Sequence, residues 1–123
     1  MKFCWVTINV KNMEDSVAFY RDIVGLTVKR RLKPTPGAEI VFLGSGDDAE
    51  IELIRRADVP HPWYGAGISL GFAVESLEAQ MSFLKAKGIH DIGGPLAPDP
   101  SISFIYIEDP NGVRIQFLQY AAS

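Results

Sequence analysis

Apolar and polar positions alternate through Phe3-Cys4-Trp5-Val6-Thr7-Ile8-Asn9-Val10, which reads as a strand with Val6, Ile8 and Val10 on one face and Trp5 and Thr7 on the other. The period then lengthens. Asn12, with Asp15 three positions on, reads as an N-cap, and Met13, Val17, Tyr20 and Val24 recur at helical spacing until Gly25 ends the run. Strand patterns return at 26–32, 38–44 and 49–55, separated by Pro34-Thr35-Pro36-Gly37 and by Gly44-Ser45-Gly46-Asp47-Asp48, whose Gly and Pro residues favour chain reversal. The prolines of Pro60-His61-Pro62 make 57–67 an extended connector.

Beyond the connector the same plan recurs. Residues 68–74 read as a strand with Leu70, Phe72 and Val74 on one face, and Ser76 caps a helix carrying Leu77, Met81 and Leu84 up to Gly88. A short strand at 92–96, a stronger one at 101–108, the turn Asp109-Pro110-Asn111-Gly112 and a last strand at 113–120 complete the chain. The recurrence extends to individual residues, three of them identical. Val10, Asn12, Met13, Glu14 and Phe19 are matched by Val74, Ser76, Leu77, Glu78 and Phe83, at a constant offset of 64 residues with no gap. The chain therefore reads as two βαβββ units, 1–56 and 68–123, in one domain spanning 1–123. The expected fold is α+β, a curved mixed sheet around a cleft with the helices on its outer face.

Composition narrows the function classes. With 123 residues, 47% apolar and 22% charged, the chain is long enough to bury a core without staples, and its one cysteine, Cys4, has no partner for an internal disulfide. By strand parity Cys4 is expected to be a small buried residue facing the helix layer. The apolar run at 3–10 is too short for a signal peptide, and no stretch nears the roughly 20 residues that span a membrane, so a cytoplasmic protein without membrane contact is expected. A net charge of −3 offers no field for nucleic acid, and Lys29, Arg30, Arg31 and Lys33 read as a solvated strand or turn. His61 and His90 lie outside the strand phase and read as surface residues.

Val10-Lys11-Asn12-Met13-Glu14, the helix end Phe19-Tyr20-Arg21-Asp22-Ile23-Val24-Gly25-Leu26, the strand Ile51-Glu52-Leu53 and the segment Glu108-Asp109-Pro110-Asn111-Gly112-Val113-Arg114-Ile115-Gln116 together carry a family likeness. On these motifs the chain resembles the vicinal oxygen chelate superfamily, which includes glyoxalase I, extradiol dioxygenases, fosfomycin-resistance enzymes and bleomycin-binding proteins. In metal-dependent members, the resemblance implies, each repeat gives one ligand from its first strand and one from its last. The matching positions here are Trp5 and Ser69, then Glu52 and Gln116. An indole cannot coordinate, a serine hydroxyl is a weak neutral ligand, and an amide lacks the charge a divalent cation prefers. The reading is therefore of vestigial metal positions, with no cofactor. Gln116 also stands where glyoxalase I has its proton-transferring Glu, a role an amide cannot fill.

Glu52 is left as the candidate catalytic residue, a general base if burial beside Trp5 raises its pKa. The alternative is that Glu52 hydrogen-bonds Gln116 or a nearby Ser or Thr. Trp5 offers a stacking plane in place of a metal. Trp63, Tyr64, Phe104 and Tyr106 are candidate aromatic walls, Phe42 and Arg114 candidate lining, and Thr7, Glu52, Ser69 and Gln116 candidate orienting groups. Phe19 and Tyr20 read as helix packing. Metal-independent binding of a small aromatic or amphipathic molecule follows as the leading expectation, with tolerance for a cationic ligand. The alternatives are a lyase, isomerase or dioxygenase with an altered metal site, and a non-catalytic structural or interaction subunit. The resemblance further implies a homodimer, its repeats paired within one chain or exchanged between two.

Overall fold

The computed structural model describes residues 1–59 and 67–121. It divides into two compact units, Met1–Trp63 and Tyr64–Ser123, so the boundary falls in the connector between the repeats. The predicted walls Trp63 and Tyr64, together with His61, lie outside the described residues.

In the first unit, β1 (Trp5–Asn9) leads to α1 (Met13–Ala18), followed by β2 (Thr27–Thr35), β3 (Ala38–Gly44) and β4 (Glu50–Arg56). The sheet order is β1-β4-β3-β2, with β1 parallel to β4 and the other pairs antiparallel. The long crossover between this parallel pair runs through α1, β2 and β3, and the helix packs against β4. Asn12 caps the helix as expected, its side chain accepting from the Asp15 amide at 3.0 Å. The predicted single helix is only partly α-helical. Residues Phe19–Ile23 widen into a π-helical turn, where the Val24 amide reaches back to the Phe19 carbonyl at 3.2 Å. Phe19 and Tyr20 both enter the core through that turn, edge to face at 5.1 Å.

The second unit repeats the order: β5 (Ser69–Ala73), α2 (Leu77–Ala86), β6 (Gly93–Asp99), β7 (Ile102–Glu108) and β8 (Arg114–Tyr120), with the sheet order β5-β8-β7-β6. Ser76 caps α2 by accepting from the Ala79 amide at 3.1 Å. Gln119 reaches from β8 to accept the Leu77 amide at 2.8 Å, tying the helix start to the sheet. Each unit is thus a four-stranded mixed sheet with its helix against one face, as the α+β reading required. The helix-side positions Ile51, Leu53, Ile115 and Phe117 are buried, as are Met13, Val17, Leu77 and Leu84 from the helices.

Several sequence expectations need correction. Cys4 is exposed, with its thiol toward the Lys2 carbonyl at 3.6 Å. Strand β1 begins only at Trp5, so the alternation that assigned Cys4 to the helix layer does not extend to it. Strand β2 runs on through Pro34 to Thr35, and β6 reaches Asp99 through Pro95 and Pro98. Both are edge strands with register irregularities, where a residue lacking an amide proton breaks no ladder bond.

Candidate functional site

The face of each sheet opposite its helix is defined by strand register. In the first unit Thr7 pairs with Glu52, Trp5 with Glu50, Phe42 with Glu52 and Arg30 with Phe42, so these six side chains share one face. The Thr7 hydroxyl donates to Glu52 Oε1 at 2.6 Å. Glu52 is half-buried and its partner is a threonine on the neighbouring strand. Trp5 is 47% exposed and meets the Phe42 ring edge-on at 5.5 Å. Phe42, expected as open lining, is instead covered. The Arg30 guanidinium lies 4.1 Å from its centroid and only 5% of the residue remains exposed. Arg30 also donates twice to Glu50, at 2.8 and 3.1 Å. Its hydrogen bonds hold the Glu50 carboxyl below the ordinary carboxylate range.

In the sequence Arg30 reads only as part of a solvated basic cluster, and Glu50 is given no role. Strict alternation places Arg30 with Val28, but the register slips between them: Val28 pairs with Leu43 and Arg30 with Phe42. One extra residue in β2 therefore sends Arg30 to the opposite face. Glu50 was findable, since the 64-residue offset maps it onto Arg114, a residue the sequence did single out.

In the second unit Ser69, Gly71 and Ala73 pair with Arg114, Gln116 and Leu118, while Tyr106 pairs with Gln116 and Phe104 with Leu118. The candidates Ser69, Phe104, Tyr106, Arg114 and Gln116 accordingly share a face. The Ser69 hydroxyl donates to Gln116 Oε1 at 3.2 Å. The Arg114 guanidinium lies over Tyr106, 4.4 Å from its centroid, and Phe104 neighbours Tyr106 at 6.4 Å. Tyr106 crosses Gly93 on the edge strand so closely that a Cβ there would come within 2.2 Å of the ring. Predicted surface residue His90 is exposed.

The donor set does not fit a divalent metal. At the matched positions the first unit offers the Glu52 carboxylate, already accepting from Thr7, beside an indole, while Glu50 on the same face is paired with Arg30, and the second unit offers a hydroxyl and an amide bonded to each other. Among the described residues no three His, Cys, Asp or Glu side chains converge.

A repeated βαβββ unit whose helix-free face carries aromatic and polar side chains defines a paired-repeat α+β protein with candidate binding faces. The Glyoxalase/Bleomycin resistance protein/Dioxygenase superfamily model matches residues 2–117, and the chain belongs to that superfamily. It is 28% identical over 116 residues to the uncharacterized protein YwbC of Bacillus subtilis, covering 91% of this chain and 92% of that protein. It is 26% identical over 129 residues to a lactoylglutathione lyase of Neisseria meningitidis, covering 97% and 91%. Among solved structures it resembles TnmS3, an antibiotic binding protein from Streptomyces sp. CB03234, with a TM-score of 0.77 at 19% identity over 98% of this chain and 97% of that one. This last likeness is one of fold. No helix among the described residues is long and apolar enough to cross a membrane.

Proposed function

We propose that this protein binds a small aromatic or amphipathic molecule without a metal. The observation that carries the reading is the chemistry at the four superfamily ligand positions. Trp5 presents a half-exposed ring, Glu52 accepts from Thr7, and Ser69 and Gln116 satisfy each other, which makes a recognition surface and not a coordination shell. Ligand contacts are assigned to Trp5, Thr7, Glu52, Ser69, Phe104, Tyr106, Arg114 and Gln116. The single-domain organisation, the homodimeric pairing and the cytoplasmic setting expected from sequence belong to the same proposal. Ligand quenching of tryptophan fluorescence that survives EDTA and is lost in Trp5→Ala supports the reading. Absence of saturable binding across an antibiotic and metabolite panel overturns it, and light scattering tests the dimer.

A lyase is the second reading, favoured by the match to a lactoylglutathione lyase over nearly the whole of both chains. Glu52 would then be the catalytic base, because Gln116 has no ionisable group. Turnover of the methylglyoxal and glutathione adduct that disappears in Glu52→Gln supports this reading. No turnover, with or without added zinc or nickel, removes it.

A further inference from the structure

Position 42 and its repeat 106 both carry an aromatic ring on the helix-free face, and in both units an arginine covers that ring. The arginines come from different strands. Arg30 belongs to β2 and Arg114 to β8, while the repeat equivalents of Arg30 and Arg114 are Gly94 and Glu50. The first unit therefore holds a cation and a carboxylate over its ring, closed as a bidentate pair at 2.8 and 3.1 Å. The second unit has the cation over the ring and no carboxylate bound to it among the described residues. Glu50 thus displays, inside the same chain, the kind of group that an arginine stacked in this way accepts.

The surroundings of Arg114 support such a guest. Ser69 orients Gln116 by donating to its Oε1, which leaves the Gln116 amide NH2 as a donor two residues along the same strand face from Arg114. The adjoining strand is low, with Ser69, Gly71 and Ala73 where the first unit has Trp5, Thr7 and Asn9. Tyr106 is seated against Gly93, so one face of the guanidinium rests on a fixed ring and its edge remains available for a planar bidentate partner. Glu108 stands opposite Arg114 in the ladder, and with Asp91 it lines the groove beside Tyr106. Neither forms an ion pair with Arg114, and their charge opposes an anion.

We infer that the second unit's face takes the carboxylate of a flat organic anion, with Arg114 as the bidentate donor, Gln116 as a second donor and Tyr106 as the platform. This rests on the small-molecule reading above and replaces the tolerance for a cationic ligand with a demand for an anionic one. The test uses calorimetric titration of the full chain with 2-naphthoate, the neutral 2-naphthamide and the cationic 2-naphthylmethylammonium. Naphthoate is expected to bind about tenfold or more tighter than the other two. Arg114→Gln is expected to bring the naphthoate-to-naphthamide affinity ratio close to one, and Glu108→Gln to tighten naphthoate by removing an opposing charge. Far-UV circular dichroism of each variant controls for folding. Naphthamide binding as tightly as naphthoate, or a preference that survives Arg114→Gln, overturns the inference while leaving small-molecule binding standing. Failure of all three probes to bind also overturns the inference, whereas the small-molecule reading falls only if the antibiotic and metabolite panel shows no saturable binding.

Discussion

Glu50 receives two hydrogen bonds from Arg30, and they stabilise its ionised form in the folded chain relative to its ordinary value near 4.5. Below that value the unfolded chain binds more protons at this site than the folded chain does. The contribution is therefore complete above the ordinary glutamate range and is lost as pH falls through the depressed folded value. Urea melts of wild type and Glu50→Gln at several pH values should show the widest stability gap near neutrality and a closing gap in acid. A gap that widens on acidification would contradict the pairing. At this scale the sequence revealed residue types better than directions. Trp5, Thr7 and Glu52 reach the face that alternation predicts, because their strands pair without slippage. Arg30 and Cys4 do not follow alternation, the first because of a bulge and the second because it precedes the ladder.

The turn between β7 and β8 depends on a single carboxylate. Asp109 is 5% exposed and accepts the amides of Asn111 and Val113, both at 2.8 Å, while Gly112 takes the positive φ of 91° that closes the reversal. This turn sets the register that carries Arg114 and Gln116. Asp109→Ala should cost about 1–3 kcal/mol in chemical denaturation, because the buried Val113 amide and the part-buried Asn111 amide lose a charged acceptor. In the sheets, Leu53 of β4 and Ile115 of β8 are fully buried against the helix side. Truncating either to alanine should cost about 2–5 kcal/mol by the same measurement, through lost transfer energy and the cavity left behind. Caps, turns and central strands were legible because their signals lie within a few residues. The edge strands were longer than predicted, since Pro34, Pro95 and Pro98 stop a strand only where an amide must donate.

For the whole molecule, the donor chemistry at the superfamily positions predicts indifference to chelation. Dialysis against EDTA should leave the melting temperature within about 1 °C, since a tightly held metal would add several kcal/mol of stability that chelation removes. Metal analysis of protein purified without chelator should agree. A clear destabilisation by EDTA, reversed by zinc or nickel, would reject the prediction. The sequence by itself determined that there are two copies of one βαβββ unit, because equal spacing of apolar residues, caps and turns records local geometry along the chain. It also determined which residue types, Trp5, Glu52, Ser69 and Gln116, stand at the positions that the resemblance matches to metal ligands, because donor chemistry depends on residue type. Only the tertiary structure decided which side chains meet. Arg30 covers Phe42 and binds Glu50, Arg114 covers Tyr106, and Ser69 orients Gln116. These contacts run between different strands and depend on ladder register, which one inserted residue reverses without leaving a signal in the composition around it.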